Sequence, residues 1–345
     1  MLQPAAMNLL GHRPSLVLAA LAASLISAGL IILLRPLLQR YALARPNARS
    51  SHVAPTPQGA GIAVIAATIL VACIYQVATR EPVSVALFGA TIFIAMVGFV
   101  DDVRTIAVLP RLLLQAAAVA GVVFSAPAEL RIAPIVPLGL ERALLLLSGL
   151  WFVNLVNFMD GLDLMTAAEL VPTTAAIVLI GWLGGLSLAP TVLAATLCGA
   201  MLGFVPFNRP VARVFLGDVG SLPIGLLLGW CLLELAWHHH FAAALLLPLY
   251  YLADATLTLL RRILRREPFW AAHRTHFYQR ATDNGFTVPA VVTEVFALNV
   301  VLAALALASV WLNTTVTDVV LLAAGAGAVA LQLYRFSQRK ISANV

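Results

Sequence analysis

Asn154-Leu-Val-Asn157-Phe-Met-Asp160-Gly161-Leu-Asp163 is the stretch on which the reading of this chain turns. It closes an apolar run from Leu140 to Phe158, long enough to cross a bilayer as a helix. Asp160-Gly161 offers a tight turn, so the helix is expected to end there, at the water interface. Asn154, Asn157 and the start of the turn follow i, i+3 spacing, which lets both amides share one helix face. Amides and carboxylates together offer donors and acceptors for a nucleobase and ribose, or oxygens for a hard cation. Capping and turn formation would explain any one of these residues. Two amides and two carboxylates beside lipid point to a site, because polar groups are costly there.

The rest of the chain supports a membrane setting. Of 345 residues, 61% are hydrophobic and 10% charged, and the mean hydropathy is +0.97. This excludes an ordinary soluble domain and marks an all-α polytopic membrane protein. Apolar spans are expected at about 15–36, 59–78, 83–100, 109–125, 140–158, 165–183, 188–206, 219–236, 240–260, 289–311 and 316–334. That makes eleven transmembrane helices, or ten if one fails, in a single integral membrane domain over 1–345. The first span follows Arg13 but is followed by no small-residue cleavage site, so it reads as a retained helix. Cys73, Cys198 and Cys231 all lie in apolar runs and show no disulfide or zinc spacing.

Charge sets the expected orientation. With the N-terminus outside, in the periplasm, Arg13, Arg80, Arg131 and Arg142 remain outside. The other seventeen of the 21 basic residues fall inside or in the cytoplasmic C-terminal tail. A net charge of +6 then reflects cytoplasmic loops on anionic headgroups and calls for no nucleic acid. The same orientation gathers loops 35–58, 101–109, 158–164, 207–218 and 261–288 on the cytoplasmic face, and the polar clusters lie in them.

Four further clusters accompany the opening stretch. In Arg49-Ser-Ser-His52-Val-Ala-Pro55-Thr-Pro57-Gln-Gly59-Ala-Gly61, prolines stiffen the loop and glycines admit close backbone approach. Arg49 and His52 could meet a phosphate, or form a plain basic loop at the interface. Asp101-Asp102 ends the third span, and adjacent carboxylates need solvent or a cation between them. Asp218, in Phe215-Leu-Gly217-Asp218-Val-Gly220-Ser221, reads equally as a helix N-cap and as a magnesium ligand. The loop from Arg261 to Arg280, with His273-Arg274-Thr-His276, reads as a lipid-surface helix, as a lid meeting a pyrophosphate, or as both. His238-His239-His240 is expected to be a turn at the outer interface, and Asp254 to pair with an arginine or to support the site.

These clusters, in this order from about Arg49 to Arg280, resemble the polyprenyl-phosphate N-acetylhexosamine-1-phosphate transferase family (MraY/WecA-like; glycosyltransferase family 4). The His273-Arg-Thr-His276-Phe-Tyr-Gln loop is more similar to the WecA-like group than to the MraY-like group. The resemblance implies magnesium (or manganese), a UDP-sugar and undecaprenyl phosphate as substrates, and the lipid bilayer of a bacterial inner membrane as the setting, and it leaves room for a homodimer. It implies catalytic roles for Asp101, Asp102, His273, Arg274 and His276. Nucleotide and sugar contacts would come from Arg49, His52, Asn154, Asn157, Asp160, Gly161 and Asp163, and metal ligation from Asp218 with Asn157. Three positions depart from the pattern: Gln58 where arginine is common, Ala60 where glycine is common, and Leu164 where glycine usually follows the second aspartate. The expected activity is transfer of an N-acetylhexosamine-1-phosphate to undecaprenyl phosphate with release of UMP, the initiating step of O-antigen or another cell-surface polysaccharide. The alternatives are the phospho-N-acetylmuramoyl-pentapeptide transferase of peptidoglycan synthesis and a non-enzymatic lipid or solute transporter.

Overall fold

The computed structural model describes residues 4–44, 55–268 and 273–339. Among the described residues, ten helices are long and apolar enough to cross a membrane. They are α1 (Pro4–Tyr41, with its apolar span from Ser15), α2 (Gly61–Thr79), α3 (Val85–Val103), α4 (Val108–Ser125), α5 (Leu138–Met159), α6 (Met165–Trp182), α7 (Leu188–Phe204), α8 (Asp218–Trp237), α12 (Val288–Leu312) and α13 (Thr315–Ser337). Two-residue strands β1 (Leu43–Ala44) and β2 (Thr56–Pro57) pair antiparallel, Leu43 opposite Pro57 and Ala44 opposite Thr56.

The expected span at 240–260 is not one helix. It is α9 (Phe241–Leu246) followed by α10 (Leu249–Leu264), with the break at Leu247-Pro248. Pro248 lacks the N–H that a continuous helix would need and its ring crowds the preceding turn. Hydropathy alone runs through this break, which is why the sequence reading placed an uninterrupted helix there. The expected loop at 35–58 is also shorter, since α1 continues to Tyr41. Between α10 and α12, the short helix α11 (Phe277–Asp283) lies within the basic loop. His238–His240 form the turn between α8 and α9, as expected.

Helices α6, α7 and α8 are the most enclosed and α13 the least. Where helices meet closely, small residues allow it. A Cβ on Gly199 would lie 1.9 Å from Ala20 O, and one on Gly203 2.3 Å from Ser24 O. Gly199 and Gly203 are thus a one-turn-spaced pair against Ala20 and Ser24, a packing mode suited to lipid, where close backbone approach replaces the hydrophobic effect as the driving force.

This contact makes a prediction. Gly199→Ala should cost about 1–3 kcal/mol of stability by overpacking against α1 backbone. Gly89→Ala, where nothing lies within 4 Å, should be neutral or stabilising. Thermal melts of the two purified variants in one detergent check this; equal melting temperatures would remove the α1–α7 contact from the account.

Candidate active site

The site is assembled at one end of the bundle, beginning with two zipped loops. Phe215 N–H donates to Pro57 O (2.8 Å), Gly59 and Ala60 N–H groups donate to Phe215 O (3.1 and 3.0 Å), and Gly61 N–H donates to Leu216 O (2.9 Å). This pairing brings Gln58 to the start of α8. There the Gln58 amide donates to Asp102 Oδ1. Asp218 N–H donates to the same oxygen at 2.9 Å, and Val219 N–H donates to Asp102 Oδ2 at 3.0 Å. Asp102, at the end of α3, therefore caps the N-terminus of α8 from outside that helix, satisfying amides that have no intrahelical partner. Gly98 permits the approach: a Cβ there would meet Asp218 O at 2.3 Å.

Asp218 is held in turn by Asn157, whose Nδ2 donates to Asp218 Oδ1 (2.8 Å) and to Ser221 Oγ (2.9 Å). Asp101 pairs with Arg111 at 2.7 Å, accepts from Ile106 N–H at 2.6 Å, and also faces Asp218. Asp101, Asp102 and Asp218 converge with one guanidinium among them. Among the described residues no three His, Cys, Asp or Glu side chains form a ready metal cage. Magnesium commonly takes one or two carboxylates and fills its octahedron with water and substrate phosphate. Asp218, oriented by the Asn157 amide nitrogen and beside two further carboxylates, fits that habit.

The opening stretch forms the turn from α5 into α6. Asp160 accepts from the Thr166 hydroxyl, and Asp163 Oδ2 accepts from Ala212 N–H at 3.0 Å. Leu164, where glycine was the family expectation, takes φ 65°, a left-handed conformation costly for a side chain. Its N–H donates to Asn208 Oδ1 at 2.7 Å, and Asn208 Nδ2 donates to Val214 O at 3.0 Å, so one asparagine binds the turn to the loop before α8. Gly161 lies under α11, where a Cβ would be 2.2 Å from the Tyr278 hydroxyl, and that hydroxyl donates to Phe158 O at 2.9 Å.

The histidine loop is anchored from α10. Asp254 is fully buried, and its carboxylate accepts from Phe277 N–H and Tyr278 N–H, both at 3.0 Å, and from the Tyr250 hydroxyl at 3.2 Å. His276 Nδ1 lies 3.2 Å from it and His273 stacks on His276 with centroids 5.1 Å apart. Asp254 therefore supports the histidine loop, and among the described residues no arginine pairs with it. Burial, with Asp254 and Asp160 nearby, holds the Tyr278 phenol well above its usual pKa.

Not every expected residue joins the cluster. Asn154 lies one turn deeper than Asn157 and donates to Gln115 Oε1 and Leu150 O, both at 2.8 Å, so its donors are spent inside the bundle. Arg274 is held by Thr282 (3.0 Å) and Asp283 (3.4 Å) on α11. Arg49 and His52 lie outside the described residues. Gln58, Thr166, Asn208 and Ser221 were not read from sequence as site residues. Only Ser221, three residues after Asp218 on one helix face, carried a local signal.

Asp160 generates a pH prediction. Burial pushes its carboxyl up to about 7, with the Thr166 hydroxyl opposing and the charges of Asp102 and Asp163 adding to the rise. An aspartate raised in the folded state is penalised once ionised. Its cost is absent below its unfolded pKa of 3.8 and complete above about 7, so stability falls as pH rises through that window. In chelator-treated protein the melting temperature should fall across it, and Asp160→Asn should flatten the fall. An unchanged pH slope in that variant would refute the assignment.

Comparison with known proteins follows the same segments. Residues 84–236, from the start of α3 to the end of α8, match the model for "Glycosyl transferase family 4". The chain is 26% identical over 311 residues to a probable undecaprenyl-phosphate N-acetylglucosaminyl 1-phosphate transferase of Bacillus subtilis, covering 82% of this chain and 84% of that protein. It is 29% identical over 322 residues to a decaprenyl-phosphate N-acetylglucosaminephosphotransferase of Mycobacterium tuberculosis, covering 82% and 79%. A phospho-N-acetylmuramoyl-pentapeptide-transferase of Chlamydia trachomatis is 42% identical over 80 residues, 23% of this chain and 24% of the relative. Asp101, Asp102, Asn157, Asp160, Asp163 and Asp218 all lie inside the matched segment, so the residues of the acidic site fall within the part of this multi-pass membrane protein that is similar to glycosyl transferase family 4.

Proposed function

We propose that this protein transfers an N-acetylhexosamine-1-phosphate from a UDP-sugar to undecaprenyl phosphate, giving undecaprenyl-diphosphate-sugar and UMP. The observation that carries this reading is the convergence of Asp101, Asp102 and Asp218 at the N-terminus of α8, with Asp218 oriented by Asn157. Both the Bacillus and the Mycobacterium relatives are named for N-acetylglucosamine phosphate transfer to a polyprenyl phosphate. The setting is a bacterial inner membrane and the product an initiating lipid intermediate of a cell-surface polysaccharide such as O-antigen.

An oxygen of the lipid phosphate attacks the phosphorus that carries the sugar, and the bond to UMP breaks. A phosphate monoester has its second pKa near 6 and is largely dianionic at neutral pH, so the attacking oxygen needs placement more than deprotonation. Asp102, saturated by two backbone amides and Gln58, holds α8 in place. Asn157 fixes the rotamer of Asp218, the carboxylate that would hold magnesium. When bound, magnesium supplies neutralisation of the diphosphate charge. Asp160 and Asp163 line the nucleotide side. His273 and His276 stand on the Asp254 anchor, and Arg274 is held against Thr282 and Asp283 through Nη2.

The acceptor needs an apolar place as well as a polar one. A cavity of ≈ 330 Å³ lies among α4, α5, α8 and the α9–α10 break, lined by residues such as Val122, Phe152, Gly225, Trp230, Leu245 and Leu252. It supports an isoprenoid chain in the helices that also carry the site.

Purified protein given UDP-N-acetylglucosamine, undecaprenyl phosphate and magnesium should release UMP. Asp218→Asn should lose that release while melting like the parent. Release at the parent rate would remove Asp218 from the mechanism, and no release by the parent with any UDP-N-acetylhexosamine would reject the transferase reading. The basic-residue split further predicts that the site faces the cytoplasm. In a background free of Cys73, Cys198 and Cys231, His239→Cys should react with an impermeant thiol reagent from outside and Arg265→Cys from inside; the reverse pattern would invert the topology.

A further inference from the structure

A second buried polar pair lies between α6 and α12, away from the acidic cluster. Glu169 and Asn299 are each 1% exposed. Asn299 Nδ2 donates to Glu169 Oε2 at 2.7 Å and to Ala168 O at 3.1 Å, which uses both amide protons. The two remaining oxygens, Glu169 Oε1 and Asn299 Oδ1, are buried and have no hydrogen-bond partner. Both are acceptors while Glu169 is ionised. Among the described residues no basic side chain pairs with Glu169. From α10 the titratable group near it is Tyr251, whose hydroxyl is committed to Met165 O at 3.1 Å.

Three occupants could satisfy two orphaned acceptors. A metal cation would need several more oxygens than these two. A water could donate to both, but would leave a full negative charge enclosed between apolar helices, which is expensive without a counter-charge. A single proton on Oε1 removes the charge and turns that oxygen into a donor. It can then bond Asn299 Oδ1, so that one proton satisfies both orphans.

We propose that Glu169 is carried as the neutral acid and forms with the Asn299 carboxamide a two-point ring that locks α6 to α12. The ring stands one turn beyond Thr166, the residue whose hydroxyl holds Asp160. Glu169 is thus a positioning residue for the first turns of α6, and its proton is a fixed part of the fold, not one exchanged in the reaction.

The chemistry of the ring gives the test. Glutamine at position 169 can form the same two-point pairing with Asn299 without a proton, and alanine cannot. Glu169→Gln should melt like the parent, keep the parent's KM for the UDP-sugar, and release UMP within about twofold of the parent rate. Glu169→Ala and Asn299→Ala should melt earlier, and their KM for the UDP-sugar should rise more than kcat falls. An infrared difference spectrum of parent minus Glu169→Gln should contain a protonated-carboxyl band that persists across neutral and mildly alkaline pH. A difference spectrum showing only carboxylate bands would overturn the proposal. So would a Glu169→Gln variant as destabilised as Glu169→Ala, because the ring would then not be what glutamine preserves. These readouts separate the proposal from the transferase reading, since melting and the infrared band do not depend on which donor sugar is used.

Discussion

The acidic site rests on helix N-termini held by carboxylates from other helices. Asp102 of α3 takes the first amides of α8, and Asp254 of α10 takes those of α11. A helix start leaves four N–H groups without intrahelical partners, and an apolar surrounding offers no water to take them. A capping side chain is worth about 1 kcal/mol in a soluble helix, and leaving a polar group unpaired away from water costs more. The opposite end of the bundle uses the inverse device. Arg142, buried at the start of α5, donates to Val123 O, Ala126 O, Pro127 O and Leu130 O, where α4 has run out of partners, and its guanidinium lies over Trp237. Anions serve amide ends and a cation serves a carbonyl end, as the helix dipole favours.

These caps divide labour among chemically identical residues. Asp102 receives three hydrogen bonds and is a strut. Asp218, whose own N–H that strut holds, receives one side-chain donor and keeps coordinating capacity. Asp254 receives the start of α11 and sets His276 above Phe158 and beside His273. Catalysis of phosphoryl-type transfer depends on placing charge before substrate arrives. A site whose carboxylates are fixed by backbone amides has done that placement during folding.

The sequence was readable where the physical signal was local. Apolar runs of membrane length became helices, and the Asp160-Gly161 turn ended α5 where expected. Reading failed where long-range geometry decided. Asp254 suggested an arginine partner because Arg261 is near in sequence, whereas its real partners are the amides of Phe277 and Tyr278. Asn154 and Asn157 share a helix face, but one turn of depth sends the first to Gln115 and the second to Asp218. Pro248 was visible in the sequence, yet averaging over hydropathy concealed the broken helix it causes. Leu164 shows the opposite lesson: a residue ill suited to φ 65° is held there by Asn208, which no local pattern could reveal.

The partnership between Asp102 and α8 has a consequence in time. The carboxylate and the amides it caps are separated by 116 and 117 residues. At roughly 5–20 residues per second, a ribosome needs about 6–23 s to make the intervening chain. During that interval α3 is already in the membrane, and Asp102 must remain hydrated at the surface with its partner unmade. Its place at the water-facing end of α3, and not one turn deeper, is therefore a requirement of biosynthesis as much as of chemistry. A carboxylate that must wait has to wait where water can reach it.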